Sequence, residues 1–338
     1  MLTASELIHL PYTPDLSEAG IAFACRALAS TYDRLGGYSI DRLRQIAGQV
    51  AMELAFRRYL SGQAIPFGVR GVTPFTRPDH YDITLGGHRC DLKSYLITRR
   101  SQISHIRRNP EVLLQAPALI PIDHFAADGQ KPEDLYLFAF LLGVQTDGPR
   151  DMLRALSAGQ PVYLAHELPE SWALPANWLP FENLVLKSEC ERLVTVEIGG
   201  LDGEHNFITA KLELLPRQRR LVENGFHSLA FIHIQRRPEA RIGIHCPRYG
   251  NPILIQPRAW DNLWFYGMEI ILAGWLTHDE YRRKASVLNA GRHTFQYEAT
   301  PEKNLLVPMH DLHPLGRLLE KVRTWEMEKR NTVTVKAN

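Results

Sequence analysis

At 338 residues, 45% apolar and 22% charged, the chain is long enough for two domains, and its composition excludes global disorder. With 39 Lys and Arg against 37 Asp and Glu, the formal net charge of +2 excludes a histone-like polycation, so any nucleic-acid contact must come from local clusters. No apolar run reaches membrane-spanning length, Met1 to Leu10 lacks a secretory pattern, and Cys25, Cys90, Cys190 and Cys246 form no CxxC pair or zinc-like spacing. A reduced, cytoplasmic setting is expected.

Helical spacing of Ala, Ile, Phe and Leu predicts a helix over Ser17 to Leu35. A second runs over Ile40 to Leu60, with Leu43, Ile46, Ala47, Val50, Leu54 and Ala55 as its apolar stripe. Gly62 to Asp79 reads as a loop by its Gly, Pro and Thr content. Tyr81 to Leu85 and Arg89 to Ile97, joined by Gly86-Gly87, form the pattern of a β-hairpin. Strands follow at Ala118 to Ile122, Leu135 to Val144 and Pro161 to Ala165, with a short helix at Asp151 to Ala158 between the last two. Leu168 to Pro180 interrupts regular structure. Beyond it come short strands at Leu193 to Ile198, Asn206 to Leu214, Ser228 to Gln235, Arg241 to His245 and Pro252 to Ile255. Helices are expected at Leu263 to Leu272, Thr277 to Val287 and Leu315 to Glu328, and Thr277 with Glu280 fits a capping box. The expected domains are therefore residues 1–190 and an α+β module over 191–338.

The chemistry lies in the hairpin. Asp91 and Lys93 are two residues apart on one strand and so share a face. Antiparallel pairing about Gly86-Gly87 would bring Asp82 close to Asp91, with Asp79 as its competitor. Two neighbouring carboxylates repel unless something neutralises them, and a hard divalent cation does so. Mg²⁺, with Mn²⁺ as a substitute, suits few carboxylates, several waters and phosphate oxygens. Lys93 would orient or help deprotonate a metal-bound water and offset charge at a scissile phosphate. The competing reading is a surface hairpin whose Asp91–Lys93 pair is solvated and worth ~0–1 kcal/mol.

Asp82, eight residues, then Asp91-Leu92-Lys93 resembles the core motif of the PD-(D/E)xK, or restriction-endonuclease-like, superfamily. Gly48 to Leu60 resembles that superfamily's first core helix, in which Glu53 takes the position of a metal-binding glutamate. Pro78-Asp79 is a literal PD dipeptide, but Asp82 is the better match to the metal-binding aspartate. The resemblance covers Ile40 to Val144 and extends at most to Leu186. It implies an α/β (α+β) fold, a mixed β-sheet flanked by helices, with Glu53, Asp82 and Asp91 as metal ligands and Lys93 completing the catalytic set. It further implies an endonuclease cleaving DNA, RNA not excluded, in restriction or anti-phage defence. The alternative is a non-catalytic nucleic-acid-binding or assembly protein that keeps the fold. A homodimer or partner-protein complex is expected for double-strand cleavage.

Arg99, Arg100, Gln102, His105, Arg107 and Arg108 follow the acid–lysine strand and are candidate nucleic-acid contacts. Arg217, Arg219, Arg220, Arg236 and Arg237 form a second basic group, which prompts DNA recognition, dimerisation or partner docking for the C-terminal half. His80 is a further loop candidate. His233, His245 and the aromatic tract Trp260 to Trp275 read as structural. Ile83 to Gly87 has a faint echo in Val196 to Gly200.

Overall fold

The order of apolar runs and turn residues yields a mixed α and β structure with several sheets. The computed structural model describes residues 1–31, 39–69, 83–126, 129–146, 148–223 and 225–324. Two compact units are present. The first comprises Met1–Leu16, Gly48–Val144 and Tyr266–Asn338, and the second Ser17–Ala47 and Gln145–Phe265. The units interleave along the chain, so the single cut expected between residues 190 and 191 does not coincide with their boundaries.

The first unit is organised around a seven-stranded sheet among the described residues. Its order is Ile8–Leu10, Phe265–Thr277, Leu135–Gln145, His88–Ile97, Ile83–Leu85 and Phe67–Val69, with His313–Pro314 also paired to Phe265–Thr277. The sheet is mixed because His88–Ile97 runs parallel to Leu135–Gln145 but antiparallel to Ile83–Leu85. Leu135 through Gly143 are buried without interruption, as a strand covered on both faces requires. Alternation sorts its side chains into two cores. Leu135, Leu137, Ala139 and Leu141 pack with Cys90 and Leu92 and with Met52, Ala55, Phe56 and Leu60 of the helix Ser39–Gly62. Tyr136, Phe138, Phe140 and Leu142 pack with Tyr95 and Ile97, with Ile103 and Ile106 of the helix Arg100–Arg108, and with Leu119 and Ile120. A three-stranded sheet, Ser286–Leu288, Asn304–Pro308 and Pro117–Pro121, lies in the same unit.

The second unit contains an antiparallel five-stranded sheet, ordered Phe207–Leu214, Val194–Leu201, Ser228–Ile234, Leu164–Glu167 and Asp261–Asn262. A four-stranded sheet, Arg219–Leu221, Val185–Ser188, Ile242–His245 and Ile253–Ile255, shares its core. The helices Pro149–Ser157 and Glu170–Ala173 also belong to this unit.

Most expected elements appear within a few residues of their predicted ends. One is of the wrong kind: the helix expected over Leu263 to Leu272 is part of the strand Phe265–Thr277. That run is apolar on both faces, Ile270 and Leu272 entering one core and Ile271 and Ala273 the other, so it carries no strand alternation to read. The loop expected over Gly62 to Asp79 contains the short strand Phe67–Val69. The helix expected over Thr277 to Val287 ends at Lys284, followed by the strand Ser286–Leu288, while its Thr277–Glu280 capping box forms as expected. The last helix is described over 315–324. The echo at Gly199-Gly200 is not structural: those glycines lie inside a strand, whereas Gly86-Gly87 form a turn. All four cysteines are buried and free of disulfides. No helix among the described residues is long and apolar enough to cross a membrane.

Candidate functional site

Gly86 and Gly87 have φ of 56° and 86°, the positive values that a tight two-residue hairpin turn of type I′ requires. The turn sets the register, pairing Leu85 with His88, Thr84 with Arg89 and Ile83 with Cys90. Asp91 is the next residue on the long strand. Asp82, with Asp79 and His80, lies outside the described residues.

Asp91 and Lys93 project from the same face, opposite Tyr136 and Phe138 of the parallel neighbour. Lys93 Nζ donates to Asp91 Oδ2 at 2.7 Å, and each side chain is only 17% exposed. This is not the solvated surface pair of the competing reading. Partial burial strengthens the attraction between the two charges while costing both of them hydration, so losing one partner would leave the other charge poorly solvated. The carboxylate is also felt by its neighbours. Burial chiefly raises the pKa of Tyr136, and the charge of Asp91 raises it further. Tyr95, next along this face, is fixed by two bonds: its hydroxyl donates to the Leu119 carbonyl at 2.9 Å and accepts from the Leu119 amide at 2.6 Å.

The pair adjoins a cavity of about 200 Å³. Besides Lys93, its wall includes Gln49, His124, Tyr297, Glu302 and Asn304. His124 comes from the short helix Ile122–Phe125, directly after the strand Pro117–Pro121. Burial lowers its pKa, and the Lys93 ammonium lowers it further, while Asp91 and Glu302 oppose the shift. His124, Lys93, Asp91 and Glu302 therefore form one electrostatic group. Sequence reasoning missed His124, Glu302 and Gln49. A histidine just after an apolar strand was visible at 124, but nothing in the local pattern links it to residues 49 and 302.

Glu53 is in a different position. Its helix packs on the Cys90–Leu92 face, whereas Asp91 and Lys93 occupy the other. Gln49, one turn earlier and on the same side of the helix, nevertheless reaches the cavity wall. Glu53 pairs with Arg57. Among the described residues, no group of three or more His, Cys, Asp or Glu is arranged to hold a metal ion.

The candidate nucleic-acid helix is partly committed to internal contacts. Arg99 pairs with Glu298, Gln102 donates to the Phe295 carbonyl at 2.6 Å, and Arg107 bonds Glu269 and the Gly267 carbonyl. Arg108 bonds the Ser104 carbonyl within its own helix at 3.1 Å. Arg100 and His105 are exposed, as are Arg107 and Arg108. In the second unit Arg217 pairs with Glu191 and Arg237 donates to the Pro257 carbonyl, while Arg219 and Arg220 stand exposed on a strand. His233 and His245 bond backbone carbonyls, in keeping with structural roles. Compared with protein-family models, curated proteins and solved structures, the chain matches none.

Proposed function

We propose that the first unit is a Mg²⁺-dependent nuclease hydrolysing DNA phosphodiesters, in the manner of the superfamily that the hairpin motif resembles. The observation that carries this reading is the partly buried Asp91–Lys93 pair, whose lysine lines a cavity. It stands on a strand of a mixed sheet, after a glycine turn, with the Glu53 helix before it and a basic helix after it.

The donor chemistry fits a hard cation. An ionised carboxylate has about four lone-pair sites, so the Lys93 contact leaves acceptor capacity on Asp91. Mg²⁺ takes one or two protein carboxylates and fills its shell with water and phosphate oxygens. Asp91 would hold it, with Asp82 as the partner that the superfamily motif implies. Glu53 is the third candidate, supported by the reach of Gln49 from the same side of the helix. Such an ion, when bound, would lower the pKa of a coordinated water and offset charge on the phosphate. Lys93, held by Asp91, presents its ammonium where negative charge develops and helps orient the attacking water.

The test is incubation of purified protein with plasmid, linear DNA and RNA, with Mg²⁺ or Mn²⁺ and with chelator. Metal-dependent cleavage is expected, falling by ~10²–10³-fold in Asp91→Ala and Lys93→Ala proteins whose circular dichroism matches the parent. A second reading, a binding protein that keeps the fold without cleaving, is favoured by one observation: Asp91 and Glu53 are both already ion-paired. It predicts binding without cleavage, and function indifferent to these substitutions. Restriction or phage defence as the setting, and a homodimer or partner complex, remain part of the same proposal.

A further inference from the structure

We propose that the cavity beside Asp91 and Lys93 is a nucleobase pocket, taking an unpaired base that bears an exocyclic amine from a single-stranded or locally opened nucleic acid. This deepens the nuclease reading, which supplies the phosphate position at Lys93.

Size comes first. At about 200 Å³ the cavity is smaller than the ~300–1,000 Å³ clefts that take drug-sized ligands, and suits one planar ring system. Its walls include two flat rings, those of Tyr297 and His124. Aromatic faces of this kind stack bases without regard to sequence.

Its polar groups then narrow the choice. Gln49, Glu302 and Asn304 supply two amides and a carboxylate. Asn304 is buried, and its Nδ2 donates to the Glu302 backbone carbonyl at 2.8 Å, which fixes the amide in place. It is the register partner of Pro121 on the neighbouring strand, and both residues line the cavity. Glu302 lines the same cavity as His124 and Tyr297. Carboxylates accept from the exocyclic amine of cytosine, and side-chain amides match the donor–acceptor edge of adenine.

The charge balance separates a base from a phosphate. Lys93 is the one Lys or Arg among the described residues lining the cavity, and it is already paired with Asp91. With Lys93 given to the scissile phosphate, no other Lys or Arg of the described lining is left to offset Glu302 for a phosphate elsewhere in the cavity. A neutral base with an amine meets acceptors. Because a paired base cannot enter, the substrate must be single-stranded or opened at that nucleotide.

Binding is measured in chelator, so that cleavage does not intervene, with dC, dA and dT homopolymers and an abasic strand of equal length at one salt concentration. The dC and dA strands are expected to bind at least ~10-fold more tightly than the dT and abasic strands, from stacking and acceptor contacts together. Glu302→Gln should narrow the dC-over-dT preference, since the amide both accepts and donates. Tyr297→Ala should weaken dC binding ~10-fold and Tyr297→Phe should not. Glu302 is exposed, so its substitution keeps the proposal testable even if Tyr297→Ala unfolds. Equal binding of the abasic and dC strands, no binding of any strand, or an unchanged preference in Glu302→Gln overturns it. Base-dependent binding without cleavage in Mg²⁺ would leave the pocket standing and remove the nuclease; cleavage with indifferent binding would do the reverse.

Discussion

His233 shows how placement sets a side chain's chemistry. It is buried, stacks on Tyr163 at 3.6 Å between ring centres, and lies 3.1 Å from the Leu164 carbonyl. A carbonyl can only accept, so Nδ1 carries the proton and donates. Burial outweighs that bond and lowers the pKa from 6.5 to about 4. Between those values the unfolded chain binds the proton and the folded chain does not, so stability falls as pH drops from 6.5 towards 4. The full loss is of order 3 kcal/mol. Urea unfolding at pH 7, 5.5 and 4.5 should show that slope, and His233→Phe should flatten it; an unchanged slope in the variant would refute the assignment. At the candidate site, legibility was uneven. Asp91 and Lys93 follow from strand alternation alone. His124, Gln49 and Glu302 do not, because their neighbourhood is made by elements far apart in the chain.

Among elements, the same dipeptide does two different jobs. Gly86-Gly87 turn a hairpin through positive φ. Gly199-Gly200 lie within Val194–Leu201, where the partner strand approaches too closely for a side chain. A Cβ on Gly200 would stand 1.9 Å from the Ser228 carbonyl oxygen, and one on Gly199 2.4 Å from the Phe231 ring. Gly200→Ala must push backbone apart, at a cost of ~1–3 kcal/mol by analogy with overpacked cores. Thermal unfolding of the variant should register it; an unchanged midpoint would show that the strands can separate freely. The strand Phe265–Thr277 was misread as a helix for a related reason. A strand buried on both faces has no alternation, so its period is settled by neighbours and not by its own residues.

For the whole molecule, interleaving is the main consequence of the tertiary structure. The cores of the first unit need Ile270 to Ala273, Leu276, Val307, Met309 and Leu312, and also Leu315, Leu318 and Leu319. A fragment of residues 1–190, the expected N-terminal domain, lacks all of them. It should show no cooperative urea transition, and a sharp native-like transition would mean that those late strands are dispensable. By itself the sequence determined the mixed α and β class, the glycine turn, the hairpin and the shared face of Asp91 and Lys93. These depend on spacing within a few residues, where backbone geometry leaves few choices. Only the tertiary structure decided how the chain divides into units, that Phe265–Thr277 is a strand, and that the Glu53 helix covers the face opposite Asp91. It also gathered Gln49, Lys93, His124 and Glu302 about one cavity. Those outcomes rest on long-range strand pairing and two-sided burial, which local pattern cannot carry.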